Sequence, residues 1–296
     1  MECEVTEHDA RLITPFTCIY AGLTMSGKTS HLFNILRNGR DMIDVMPKNI
    51  LYFYNQHQPI FSRFDRENIV TEWINALPTV SLLQEKTAEF ADGKGSIVII
   101  DDFMQELNAD VLTLFSVLCH ANRISVFLLS QNIFPKNPKF RDISVNATYI
   151  VVFKNPRDSA QIMSFARQFA PGRVNSVIDA FRASTQFGYS YMLFDLHQKS
   201  DEAIRMRSHI FPHEWPIRVY VPRGVTPRGT KRKSTSELEE EKPIAKKRQD
   251  GMMAREAMKR KRNTSFEEEP ALKKRQDGIL PSEANELEED TEWDDE

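Results

Sequence analysis

Apolar residues in the first three-quarters of the chain fall in short blocks, separated by segments with helical spacing. Residues 16–21 (FTCIYA) are β-branched and aromatic and end at Gly22; residues 29–37 follow with apolar positions three and four apart. Residues 49–54 (NILYFY), 96–100 (SIVII), 125–129 (SVFLL) and 149–153 (YIVVF) are continuous apolar runs, the pattern of strands buried on both faces. Residues 69–84 read as helix and loop, residues 107–119, 159–169 and 174–181 as helices, and residues 189–194 (YSYMLF) as a last core strand. Strands alternating with helices predict an α/β fold, with a mainly parallel sheet covered on both faces.

After residue 222 the pattern stops. Of 39 Lys/Arg and 42 Asp/Glu, residues 223–296 hold 17 and 19, leaving 22 and 23 for residues 1–222. A segment so charged and so poor in large apolar residues cannot bury enough surface to offset chain entropy, so 223–296 is expected to be disordered and 1–222 to form the folded domain. The tail carries a degenerate duplication: KRKSTSELEEEKPIAKKRQDG at 231–251 is echoed by KRKRNTSFEEEPALKKRQDG at 259–278. It has no apolar periodicity to stack as a solenoid. Its basic clusters read as nuclear-import signals or nonspecific DNA contacts, and the acidic end with Trp293 as a dock for a basic partner.

The near-neutral folded part excludes a broadly basic surface, so any nucleic-acid contact must be local; Lys136, Lys139 and Arg141 are the candidates. Cys3, Cys18 and Cys119 show no pairing or metal spacing, and Cys18 and Cys119 read as buried small hydrophobes in a reducing compartment. The polar, acidic start is unlike a signal peptide, and no apolar run reaches bilayer length, so a soluble intracellular protein without membrane contact is expected. Seven histidines form no metal-binding cluster. Tyr52, Phe53, Tyr54, Phe61 and Phe64 read as core residues, not as a base-stacking platform.

The sharpest chemical signal is Gly22-Leu23-Thr24-Met25-Ser26-Gly27-Lys28-Thr29, a full match to G-x-x-x-x-G-K-[ST] between a predicted strand and a predicted helix. Glycines let the backbone approach phosphates closely, and successive N–H groups form an anion nest at a helix N-terminus. Lys28 is then expected at the β- and γ-phosphates of ATP, and Thr29 on Mg²⁺. A second signal is the acidic end of the 96–100 strand. Asp101 is expected in the Mg²⁺ shell, and Asp102 as base or orienter for an attacking water. A third is Gln131, at the end of the 125–129 strand. In NTPases with an acidic water activator (the ASCE/RecA-like P-loop fold) a strand lies between the loop strand and the acidic strand, and a polar group at its tip meets the γ-phosphate or the water. Arg123 and Arg157 are candidates for an arginine finger reaching a neighbouring subunit's nucleotide, against the plainer reading of surface ion pairs. No N-K-x-D segment occurs, which disfavours GTP.

Together these motifs resemble the FtsK–HerA superfamily, and within it the viral genome-packaging ATPases of the poxvirus and Polinton/Maverick type. The features are the early loop at residues 22–29, the Asp101-Asp102 pair, Ser130-Gln131-Asn132 followed by Phe134, and the stretch from Ile143 through Asn146, Tyr149, Lys154, Arg157 and Asp158 to Gln161 and Arg167-Gln168. The resemblance covers about residues 12–220 and departs where the wider superfamily carries Glu at the position of Asp102. It implies a homo-oligomeric ring that hydrolyses ATP to move double-stranded DNA into a capsid, with a capsid or portal protein as partner. The basic tail adds a nuclear import receptor and a host-nucleus location, with host cytoplasm or virion as the alternative. Two rivals share the loop: a nucleotide or small-molecule kinase, which needs an acceptor-binding lid that the sequence does not display, and a nucleotide-binding scaffold whose tail recruits partners.

Overall fold

The structure is a computed structural model and describes residues 2–5, 10–88, 93–135, 137–155, 159–214 and 216–221. The chain divides into two units, Met1–Thr230 and Lys231–Glu296. The duplicated basic and acidic segments, and with them the expectation of disorder from residue 223, lie outside the described residues.

Ten strands form one sheet: β1 Glu2–Val5, β2 Thr17–Ala21, β3 Asn49–Tyr54, β4 Glu72–Ile74, β5 Ser96–Asp101, β6 Ile124–Ser130, β7 Tyr149–Phe153, β8 Tyr191–Asp195, β9 Met206–Ser208 and β10 Arg218–Val221. The helices are α1 Lys28–Arg37, α2 Gly39–Met42, α3 Phe61–Arg66, α4 Val80–Ala88, α5 Ala109–Thr113, α6 Cys119–Ala121, α7 Pro138–Val145, α8 Ser159–Phe169 and α9 Val174–Ser184. A single wide turn, Leu114–Leu118, joins α5 to α6, so the predicted helix is continuous but locally underwound.

The strand order is β1-β10-β9-β8-β7-β2-β6-β5-β3-β4. From β7 to β4 every neighbouring pair is parallel, and from β7 to β1 every pair is antiparallel. The parallel half comes from the apolar runs, which need cover on both faces and receive it. Alternate residues serve two cores: Ile19, Val98, Ile100 and Leu128 pack with α5, α7, α8 and α9, whereas Cys18, Tyr20, Ile97 and Ile99 pack with α1 and α3. Strand β6 stands between β2 and β5. This is the expected α/β arrangement, with a strand between the loop strand and the acidic strand.

Three local readings change. Residues 69–84 contain β4, a three-residue edge strand too short to show periodicity, whose Trp73 stacks on Phe61 at 4.4 Å. The last core strand starts at Tyr191, because Tyr189 takes a positive φ of 62° that no strand residue adopts. Residues 2–5 and 206–221 add the antiparallel edge, where no strand had been expected.

Candidate functional site

β2 ends at Ala21, and the chain turns through residues 22–27 into α1. Gly22 is buried. A Cβ there would stand 2.6 Å from Ser26 Oγ and 2.8 Å from Phe153 Cβ, so only glycine lets the loop close against β7. Met25 (φ 63°) and Gly27 (φ 96°) take left-handed conformations. No side chain caps α1, so the N–H groups of its first turn have no partner within the helix. Lys28 Nζ donates to Gly22 O at 2.7 Å and Leu23 O at 2.9 Å, folding back over the loop. Ser26 Oγ is buried without a partner. Open N–H groups at a helix N-terminus, an orphan hydroxyl and a nearby ammonium form a cradle of donors, which fits a polyphosphate.

The carboxylates lie across the cleft. Asp101, the last residue of β5, is 5% exposed; its Oδ2 accepts from Tyr52 Oη at 2.8 Å and from Gln58 Nε2 at 3.0 Å. Thr29 Oγ1 donates to Gln58 Oε1 at 3.4 Å, so one amide links the two groups expected on Mg²⁺. Burial pushes the Asp101 carboxyl up; the Tyr52 hydrogen bond and the Lys28 charge oppose that, Asp102 adds to it, and Gln58 opposes it. Burial pulls the Lys28 ammonium down, against the attraction of Asp101 and Asp102. An oxygen pair from Thr29 and Asp101 is the hard donor set that Mg²⁺ takes alongside phosphate oxygens. Asp102 is half-buried at a φ of 65°, a left-handed turn just past the carboxyl end of β5. Gln131 follows the tip of β6 and is exposed.

These groups share one cleft of about 790 Å³, within the usual size for a ligand site. Thr24, Met25, Gly27, Lys28, Thr29, Asp101, Asp102 and Gln131 all line it. Leu23 is exposed beside it, and Gly22 and Ser26 shape the loop from behind. The cleft opens at the carboxyl ends of β2, β3, β5 and β6, where open α/β sheets place their ligands. It has a second half, walled by Asn34, Tyr189, Tyr191, Phe211, His213 and Glu214.

Among the described residues, no candidate arginine lines this cleft. Arg123 precedes β6, so the length of that strand, roughly 20 Å, separates it from Gln131. Its guanidinium donates to Gly93 O at 2.7 Å. Arg141 is exposed on α7; Arg167, on α8, donates to Met163 Sδ at 3.4 Å. Arg157 and Lys136 lie outside the described residues. The stretch that carried the resemblance runs from α7 through β7 into α8, where Thr17 Oγ1 donates to Asn146 O and Phe134 N to Gln161 Oε1. Tyr52, Phe53, Phe61 and Phe64 are core residues, and Tyr52 also holds Asp101. Sequence reasoning missed Gln58. The rule that ligands bind at the carboxyl ends of strands, applied to residues 55–58 after β3, would have pointed to it.

No family profile and no curated protein sequence matches the chain. Among solved structures it is similar to the genome packaging NTPase B204 of Sulfolobus turreted icosahedral virus 2 in complex with ATP-gammaS. That match has 15% identity over 70% of this chain and 98% of that one, with a TM-score of 0.42. The same NTPase in complex with AMPPCP gives 12% identity over 70% and 98%, and 0.43. The cytoplasmic domain of the Type VII secretion ATPase EccC of Thermomonospora curvata gives 12% identity over 69% of this chain and 25% of that one, and 0.40. Likeness of this size carries no functional weight; the chemistry of the cleft has to be read from its own residues.

Proposed function

We propose that the chain hydrolyses ATP in this cleft and uses the energy, as a homo-oligomeric ring, to move double-stranded DNA into a capsid. The observation that carries the hydrolytic part is the insertion of β6 between β2 and β5, which delivers Gln131 to a cleft already lined by Lys28, Asp101 and Asp102. The loop N–H groups and Lys28 bind and orient the triphosphate. Thr29 and Asp101 would hold Mg²⁺, which when bound neutralises charge on the β- and γ-phosphates. Asp102 accepts the proton of the attacking water or orients it, and Gln131 positions that water or the γ-phosphate. An arginine finger completes the site from a neighbouring subunit. Arg123 stands at the amino end of β6, a strand's length from this cleft, so it can serve only in trans; Arg157 is the other candidate.

The DNA-packaging part rests on the resemblance of residues 12–220 to viral genome-packaging ATPases. The basic clusters of residues 231–275 support nuclear import and DNA contact, and the acidic end supports docking to a capsid or portal protein. ATP turnover, measured with and without linear double-stranded DNA while oligomer mass is followed, tests the reading. DNA is expected to raise turnover and ATP to promote assembly. Lys28→Ala is expected to abolish ATP binding. Gln131→Ala should keep binding and lose about 100-fold or more in turnover. Parental turnover in either variant, or labelled γ-phosphate transferred to a small molecule, overturns it.

A further inference from the structure

The phosphate-binding reading uses one half of the cleft and leaves the other without a role. Thr29 and Asp101 fix the metal end of a bound triphosphate, and the first turn of α1 fixes its middle. The nucleoside must therefore extend away from Asp101, into the half walled by Asn34, Tyr189, His213 and Glu214.

Tyr189 is unusual there on three counts. Its φ of 62° is costly for an aromatic residue, a kind of strain that concentrates at functional sites. The residue is 73% exposed, although a large aromatic in a cleft wall ordinarily packs. Its ring lies directly over Gly27: a Cβ on that glycine would stand 3.3 Å from Tyr189 Cδ1. The ring is thus held beside the phosphate loop with nothing covering it. Glu214 supplies a polar group in the same half. Its Oε2 accepts from Tyr191 Oη at 3.1 Å, which orients the carboxylate. An ionised carboxylate accepts only, so its other oxygen suits a donor on the ligand.

We propose that this half is the nucleobase site, with Tyr189 as the stacking platform and Glu214 as the acceptor that selects an amino-bearing base such as adenine. The proposal rests on the triphosphate reading above and adds the base specificity that the loop itself does not supply. Aromatic stacking tolerates any base, so the ring sets affinity and the carboxylate sets choice.

Binding of ATP, ITP and inorganic tripolyphosphate to the full chain, each with Mg²⁺, separates the possibilities. The parent is expected to bind ATP more tightly than ITP, whose keto oxygen faces the carboxylate, and more tightly than tripolyphosphate. Tyr189→Ala should weaken ATP roughly ten-fold and leave tripolyphosphate unchanged, while Tyr189→Phe keeps parental affinity. Glu214→Gln should erase the preference of ATP over ITP. If Tyr189→Ala weakens ATP and tripolyphosphate alike, the ring only braces the loop and the base site is overturned. Unchanged ATP affinity in Tyr189→Ala overturns it too, as does a parent that binds ATP and ITP equally. A parent that binds none of the three refutes the triphosphate reading itself, and the base site falls with it.

Discussion

Gly22 and Gly27 both belong to the phosphate-loop motif, yet they do different things. Gly27 supplies a left-handed backbone at the entry to α1, whereas Gly22 supplies the absence of a side chain between Ser26 and Phe153. Phe153 Cβ is tied to a central strand and cannot swing aside, so Gly22→Ala is expected to cost about 1–3 kcal/mol in a denaturant melt and to weaken ATP binding. A variant with parental stability and affinity would show that the loop has slack. His31, two residues beyond the motif, makes a different point. Its Nδ1 lies 2.9 Å from Tyr20 Oη, its Nε2 is buried without a partner, and the rings of Tyr191 and Phe211 close around it at 4.2 and 4.8 Å. Burial pulls its pKa from 6.5 to about 3. A folded-state value below the unfolded one means that the folded chain excludes a proton which the unfolded chain binds. The stability this histidine supports is therefore present above pH 6.5 and is lost as pH falls toward about 3. The loss should reach about 2 kcal/mol between about pH 8 and about pH 5. His31→Asn keeps a partner for Tyr20 and cannot titrate, so it should flatten that part of the stability–pH curve. An unchanged slope would exclude His31 as its source.

The parallel strands were legible because each is an uninterrupted apolar run that only a sheet covered on both faces can hide. β4, β9 and β10 were not. They are three or four residues long at or near a sheet edge, too short for a run or an alternation to show. The antiparallel edge that β9 and β10 help to build holds a buried ion pair that no motif announces. Arg207 Nη2 donates to Asp195 Oδ2 at 2.8 Å; Ser200 Oγ reaches the same oxygen, and His197 N the other. Such a pair stabilises little relative to an apolar substitute, but breaking it strands a charge. Asp195→Asn is thus expected to destabilise by about 3–5 kcal/mol and to lower the melting temperature by about 10 °C. A shift under about 2 °C would mean that Arg207 finds another partner.

For the whole molecule, charge is divided between a near-neutral folded part and a tail that alternates sign. If the basic clusters contact DNA, replacing the lysines and arginines of residues 231–233, 246–248, 259–262 and 273–275 by glutamine should leave DNA-free ATP turnover unchanged. It should also weaken DNA binding at low salt and flatten the dependence of affinity on salt, because fewer counterions are released. An unchanged salt slope would assign those clusters to import alone.

The positions of the turn at residues 22–29, Asp101, Asp102 and Gln131 at strand ends were legible in the sequence, because each depends on local order: a strand, a turn and a polar group at the strand's end. Local order does not say which strand lies beside which. The place of β6 between β2 and β5 is the one expected of the predicted fold, but only the tertiary structure brought Gln58 from the end of β3 to join Thr29 and Asp101 and left Arg123 a strand's length away. It also turned Tyr189 from an expected strand residue into a bare ring over Gly27. Those relations come from crossovers and burial summed over the whole sheet, which no short window of sequence contains.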